Sequence, residues 1–219
     1  MRRLFLFRPE PGARHSADRA RAMGLDVTLI PLFAIEELPW TAPDPSEFDA
    51  ILFTSANAVR SAGDQAEQLR GLPAHCVGEA TAQAAEVAGF GVASTGNGGV
   101  DDLLDHIEPG VRLLHLCGED RRPPKHAHPL KCATVYRAKP LSSPHGLEKL
   151  GGNVAMLHSP RAAARLAELI DPGQRATITI AAISPATAEA AGTGWESVTA
   201  ASVPSDAALL ALAQRLCQD

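Results

Sequence analysis

The chain predicts an α/β protein of two doubly wound domains, each with a five-stranded parallel sheet. Three observations carry that expectation. Short apolar runs alternate with Ala-rich, helix-sized stretches along the length, the alternation of parallel sheets with crossover helices. Several of the runs are apolar almost throughout, as strands covered on both faces are. Three segments also recur in one order at nearly one spacing. Leu4–Glu10 resembles Leu113–Glu119 at an offset of 109, Ile51–Ser55 resembles Ala155–Ser159 at 104, and Val77–Ala82 resembles Ile183–Ala188 at 106.

Strands are expected near residues 3–7, 26–33, 49–54, 74–78 and 91–95, then near 111–117, 132–138, 153–158, 177–183 and 197–201. The first follows a basic start, but only four apolar residues precede Arg8. That is too short for a signal-peptide core and reads as a strand. Gly24 and Gly89 each stand just before an apolar run, where a glycine in a left-handed cap stops a helix. Ser55 and Ser159 stand between strand and helix, the second with Pro160 after it, and Ser184-Pro185 repeats the arrangement. Ser is a favoured N-cap and Pro suits the first helical position. Between residues 121 and 129 the alternation fails: Pro123, Pro124 and Pro129 disfavour a helix interior, so the segment is expected to be irregular.

Composition narrows the function. The 219 residues are 45% hydrophobic and 21% charged, averages for a folded domain. A net charge of −5 without any basic block argues against nucleic acid as a partner. No run of about 18 apolar residues predicts a membrane span. Cys76, Cys117, Cys132 and Cys217 are scattered with no CxxC pair, which suggests free thiols and a cytoplasmic location. No apolar stripe asks for a partner subunit, so a monomer is expected.

Cofactor motifs are missing where they would be needed. Arg8-Pro9-Glu10-Pro11-Gly12 follows the first strand in place of GxGxxG, and Gly96-Asn97-Gly98-Gly99 lacks the ending of a phosphate-binding loop. No GxSxG elbow occurs. His115 and Cys117 share a strand face, with His126 and His128 nearby in sequence, but no second cluster gives a metal-ligand spacing. No cofactor and no metal are expected.

What remains is hydroxyl and glycine chemistry at strand ends. Ligands of open α/β sheets bind beyond the carboxyl ends of the strands, where helix N-termini offer free N–H groups and a positive dipole to anions. Thr54, Ser55, Gly78 and Thr81 occupy such positions in one copy, and Ser159, Ser184 and Thr187 in the other. Two such domains facing each other line a wide cleft. Arg8, Arg60, Arg122 and Arg161 follow expected strand ends and would add charge there. Tyr136, the only tyrosine, lies in the strand Thr134–Ala138 and is a candidate proton donor, although a strand aromatic also simply fills space.

These residues resemble the uroporphyrinogen-III synthase family. The resemblance runs through Phe7-Arg8-Pro9, Gly24, Ile30-Pro31-Leu32, Phe53–Val59, Val77–Ala82, Val135-Tyr136-Arg137, His158–Arg161 and Ala182–Ala188. It covers nearly the full length, and the order and spacing are more specific than any one motif. It implies a bilobed fold with domain one at 1–34 plus 140–219 and domain two at 36–138, bridged near Phe33–Glu37 and Tyr136–Pro140. It also implies a lyase of tetrapyrrole biosynthesis that needs no cofactor. The substrate would be hydroxymethylbilane, cyclised with inversion of ring D through a spirocyclic intermediate to uroporphyrinogen III and water. By position, Tyr136 matches the family's tyrosine that assists hydroxyl departure, and Thr187 its cleft threonine, with Thr81 the equivalent in the other copy. Arg8, Thr54, Ser55, Gly78, Gly118, Arg122, Ser159, Arg161 and Ser184 complete the expected substrate contacts. The chain departs from the family at 121–129, and in having Ser184 where Gly is common and Ala186 where a second Thr is common. An alternative is a non-catalytic protein of this fold that binds a tetrapyrrole or another polyanion.

Overall fold

The computed structural model describes residues 1–10, 12–96, 99–121, 124–125 and 128–218. In chain order the elements are β1 (Leu4–Leu6), α1 (Gly12–Ala22), β2 (Val27–Leu29), β3 (Phe33–Glu37), β4 (Ala50–Phe53), α2 (Ala56–Ser61), β5 (Ala74–Val77) and α3 (Glu79–Val87). They continue with β6 (Val92–Gly96), α4 (Val100–Leu104), β7 (Leu113–Gly118), β8 (Leu130–Pro140), β9 (Val154–Leu157), α5 (Pro160–Leu169), α6 (Pro172–Arg175), β10 (Thr179–Ala182), α7 (Pro185–Ala191), β11 (Ser197–Ala200) and α8 (Asp206–Gln218). None of the described helices is long and apolar enough to cross a membrane.

Two units divide the chain: Met1–Ala34 with Pro140–Asp219, and Ile35–Lys139. The first holds a parallel sheet in the order β11-β10-β9-β1-β2. Its central strands β1, β9 and β10 are buried at every position, because α1 and α8 pack against one face while α5 and α7 pair with each other. Leu4, Leu6, Val154, Met156 and Ala181 meet Leu209, Leu210, Leu212 and Ala213 of α8 in the core of that face.

The second unit differs from the five strands expected: its sheet has six, ordered β3-β8-β7-β4-β5-β6. The added strand is β3. Strand β8 is eleven residues long, enough to run parallel with β7 on one side and still offer backbone to β3 on the other. Bonds from Leu38 N–H to the Val135 carbonyl and from Leu141 N–H to the Leu32 carbonyl, both 2.9 Å, make the β3–β8 pairing antiparallel. One face of this sheet packs Ile51, Phe53, Leu114 and Leu116 with α2 and α3 residues, and Phe53 meets Phe90 edge-on at 5.1 Å. The other packs Leu52 and Leu113 with Leu103 and Leu104 of α4.

Local signals work as the sequence suggests. Gly24 and Gly89 take φ of +81° and +88° directly after α1 and α3, the conformation that ends a helix at least cost for glycine. The described residues of 121–129 form no helix; Lys125 N–H donates to Asp101 Oδ1 at 2.7 Å, tying the segment to α4.

Candidate active site

In the second unit, half of the expected residues lie at or near the carboxyl ends of β4, β5 and β7. Ser55 is the N-cap of α2: its backbone is extended and its Oγ accepts the Asn57 N–H at 3.2 Å. The Tyr136 phenol, carried in on β8, donates to the same Oγ at 3.2 Å. That fills both acceptor positions of the Ser55 hydroxyl and leaves its own O–H to donate. Thr54, one residue back, lies 3.0 Å from His115 Nε2 on β7.

Gly118 ends β7, and its absent side chain is what seats the tyrosine. A Cβ built there would lie 2.7 Å from Tyr136 Cζ and 3.0 Å from its oxygen. The ring therefore rests on bare backbone. Gly78 serves differently. It precedes α3 with φ +83° and ψ 145°, a region open to glycine and strained for other residues. Its N–H is held by the Gly96 carbonyl at 2.7 Å, and its own carbonyl takes the Thr81 and Ala82 N–H groups. Thr81 is buried in the first turn of α3. Arg60, expected near a strand end, lies instead in the last turn of α2, more than a helical turn from Thr54.

His115 is almost fully buried on β7. Burial, with the nearby Arg121 charge, pulls its imidazole down to about 4, so it is neutral at ordinary pH. Burial pushes the neighbouring Cys117 thiol up to about 11.

In the first unit the strand ends repeat the capping pattern. Ser159 caps α5 by accepting the Ala162 N–H at 3.2 Å. Ser184 caps α7 by accepting the Thr187 N–H at 3.3 Å, with the two hydroxyls 3.0 Å apart. Thr187 is completely buried. Arg161, in the first turn of α5, stacks over the Phe33 ring at 4.6 Å from its centroid, a cation–π contact. Arg8 donates to Ser16 Oγ at 3.0 Å, lies 3.6 Å from Asp206, and its guanidinium covers Gly12.

That arginine belongs to a half-buried network the sequence did not reveal. Asp206, at the start of α8, accepts from Ser16 Oγ at 2.7 Å and from His158 Nε2 at 2.8 Å. Burial pushes the Asp206 carboxyl up, but the His158 and Ser16 hydrogen bonds, together with the His158 and Arg8 charges, outweigh it and hold it at about 2. His158 goes the other way: burial lowers it despite the Asp206 bond. Nε2 is the ring nitrogen that faces the Asp206 carboxylate, so it carries the proton in either charge state. Arg122 and His126, singled out in sequence, lie outside the described residues, as do Asn97 and Gly98 of the glycine-rich loop. His128 instead faces the Leu104 carbonyl at 3.2 Å.

Hydroxyl-capped helix N-termini at the ends of largely parallel strands, and a phenol seated on a glycine, put the candidate site of this α/β protein at its strand ends. The match to known proteins is more particular. The family model described as uroporphyrinogen-III synthase HemD matches residues 15–211, and the chain belongs to that family. It is accordingly a uroporphyrinogen-III synthase, a cyclising lyase of porphyrin biosynthesis. Among solved structures, the uroporphyrinogen-III synthetase of Helicobacter pylori is similar at 21% identity. The match covers 99% of this chain and 100% of that one, with a TM-score of 0.68. A mutant uroporphyrinogen III synthase from the extremely thermophilic bacterium Thermus thermophilus is similar at 18% identity, 99% and 100% coverage, and a TM-score of 0.57. No curated protein matches the chain.

Proposed function

We propose that Tyr136 is the proton donor that starts the cyclisation of hydroxymethylbilane, and that the strand-end residues hold the substrate's carboxylates. The reaction closes a linear tetrapyrrole and inverts its last ring. The ring A hydroxyl leaves as water, giving an electrophilic azafulvene. The substituted carbon of ring D attacks that centre to form a spirocyclic pyrrolenine. Fragmentation and re-closure leave ring D inverted.

The substrate also cyclises unaided, without inversion. The protein's larger task is therefore to hold one geometry of a flexible, eight-carboxylate chain, which is catalysis by orientation. A donor at the departing oxygen lowers the first barrier. The observation that carries the reading is the seat of the Tyr136 phenol: its ring rests on Gly118 and its hydroxyl is aimed at Ser55 Oγ, at the end of the strand that opens α2. On substrate arrival the phenol exchanges the Ser55 bond for one to the leaving hydroxyl. Thr54, Ser55, Gly78, Thr81 and Gly118 are the other substrate contacts of this unit.

Ser159, Ser184 and Thr187 offer capped helix starts to carboxylates, with Arg161 and Arg8 supplying charge; Arg122 is assigned with them by position in the sequence alone. Such charge matters in a protein of net −5 meeting a polyanion. The two units form the domains, with the chain crossing between them at Ala34/Ile35 and Lys139/Pro140.

The test is to supply freshly generated hydroxymethylbilane to the purified chain and to Tyr136→Phe, oxidise, and separate the uroporphyrin isomers. Predominant isomer III from the native chain, and a slowed yield from the variant, is the expected result. Undiminished isomer III from Tyr136→Phe removes the tyrosine from the chemistry.

A further inference from the structure

Strands β7 and β8 place three metal-binding atoms together on the sheet face that packs against α4. His115 and Cys117 are two residues apart on β7 and share that face. Cys132 is the register partner of His115 on β8, so it points the same way. The His115 nitrogen and the two sulfurs all lie within 4.8 Å of one another, with Cys132 Sγ 4.0 Å from His115 Nδ1. A tetrahedral zinc site sets such atoms roughly 3.5–3.8 Å apart, from Zn–S near 2.3 Å and Zn–N near 2.0 Å. Side-chain adjustments of about 1 Å close the difference, and Cys132, the most accessible of the three, is placed to make them.

The other nitrogen of His115 is already arranged as a ligand's would be. Nε2 faces Thr54 Oγ1 at 3.0 Å, leaving Nδ1 toward the sulfurs. A ligating histidine characteristically fixes its orientation with its second ring nitrogen in this way. The two cysteines are diagonal rather than opposite, since Cys117 is in register with Thr134. That offset suits two sulfurs sharing an ion better than a direct disulfide.

We infer that His115, Cys117 and Cys132 form a binding site for one thiolate-favouring cation of the zinc class, the three ligands that the described residues supply. The site goes beyond the cyclisation reading and does not depend on it. Thiolate ligands select zinc over the oxygen-seeking cations. On binding, each thiol gives up its proton to solvent and the neutral imidazole keeps its Nε2 proton. A divalent ion with two thiolates is uncharged overall, which a buried position tolerates. Arg121 is the cation that acts on both His115 and Cys117, and it opposes an ion carrying excess positive charge. With Nδ1 engaged, Nε2 is fixed as a donor to Thr54. The ion would thereby set the direction of a hydroxyl beside Ser55.

The experiment titrates the reduced, chelator-treated chain with Co²⁺ under anaerobic conditions, then with Zn²⁺. Expected are one Co²⁺ per chain, a thiolate-to-cobalt charge-transfer absorption, and its stoichiometric bleaching by Zn²⁺. Cys132→Ser, at an accessible position, should weaken binding about 100-fold or more, since removing even an outer-shell partner costs roughly 10–100-fold. His115→Gln, checked for folding by circular dichroism, should do the same. No charge-transfer band in the native chain, or a band that neither substitution weakens, overturns the assignment. These readings do not involve isomer III formation, so the site and the cyclisation reading succeed or fail separately.

Discussion

Gly118→Ala is the sharpest probe of the proposed chemistry, because it changes no polar group. Gly118 is not among the glycines with positive φ, so its backbone accepts alanine without strain. The new methyl, however, would stand 2.7 Å from Tyr136 Cζ and 3.1 Å from Cε1. Carbon atoms settle about 3.5–4.0 Å apart, so the ring must retreat by roughly 0.8 Å or more. The phenol, 3.2 Å from Ser55 Oγ, would lose that bond or its aim. A misplacement of about 1 Å can cost about 100-fold in rate, and a positioned acid contributes about 100- to 10,000-fold. The expected loss in kcat is therefore about 100-fold.

Overpacking also costs about 1–3 kcal/mol, a fall in Tm of roughly 2–12 °C at this chain length. The assay measures isomer III formation well below the lowered Tm. It includes Tyr136→Phe and the double variant, because two changes acting through one phenol should not add. The double variant should be no slower than the worse single one. Native isomer III turnover by Gly118→Ala, or fully multiplicative losses, would refute the account of the tyrosine's seat.

Tyr136→Phe alone should slow isomer III formation by about 100- to 10,000-fold and lower stability by only about 1 kcal/mol, the worth of one hydrogen bond; a collapsed Tm would make the phenol structural. Ser159→Ala should cost about 1 kcal/mol through the lost cap of α5, read as a lower urea midpoint at unchanged m; an unmoved midpoint counts against the cap. Acid should destabilise the chain in two stages. His158, His115 and His75 are all held below their ordinary 6.5, so the unfolded chain binds protons the folded one refuses, and stability falls as pH drops below about 6.5. Asp206, at about 2 against an ordinary 3.8, adds about 2 kcal/mol above that ordinary value and loses it as pH falls toward 2. Urea unfolding across pH 2–8 tests both: Asp206→Asn should flatten the lower limb, and an unaltered lower limb disproves its part.

What the sequence disclosed was local or repeated. Caps such as Ser159-Pro160 are written within four residues, and the buried central strands announce themselves by being apolar almost throughout. The sixth strand of the second unit was obscured because β3 reads Phe-Ala-Ile-Glu-Glu and is fully buried only at Phe33; it looks like a connector until β8 proves long enough to pair with it. Asp206 joins Ser16 across 190 residues and His158 across 48, and only the packing of α8 against α1 and β9 brings those partners together. Cys132 looked like one of four scattered thiols for the same reason. Its relation to His115 exists only in the register of β7 with β8. Gly118 was expected as a substrate contact, whereas its visible work is to make room for an aromatic ring eighteen positions later.

Ser55 shows why capping and catalysis need not compete for the same strand end. A cap needs only a side-chain acceptor for one helix N–H, and Ser55 gives Asn57 that acceptor. The second acceptor position takes the Tyr136 phenol, so the serine's own proton is left to donate to a substrate oxygen. Replacing Ser55 by Ala would remove the cap, the phenol's resting partner and that donor together. Asp would keep an acceptor for Asn57 and for the phenol while adding a negative charge where carboxylates must dock. The pair separates the roles. If the Ala variant loses stability and turnover while the Asp variant keeps stability and loses substrate affinity, the cap and the anion site are two functions of one hydroxyl. If the Asp variant binds substrate as the native chain does, the carboxylates lie elsewhere and Ser55 is a cap alone.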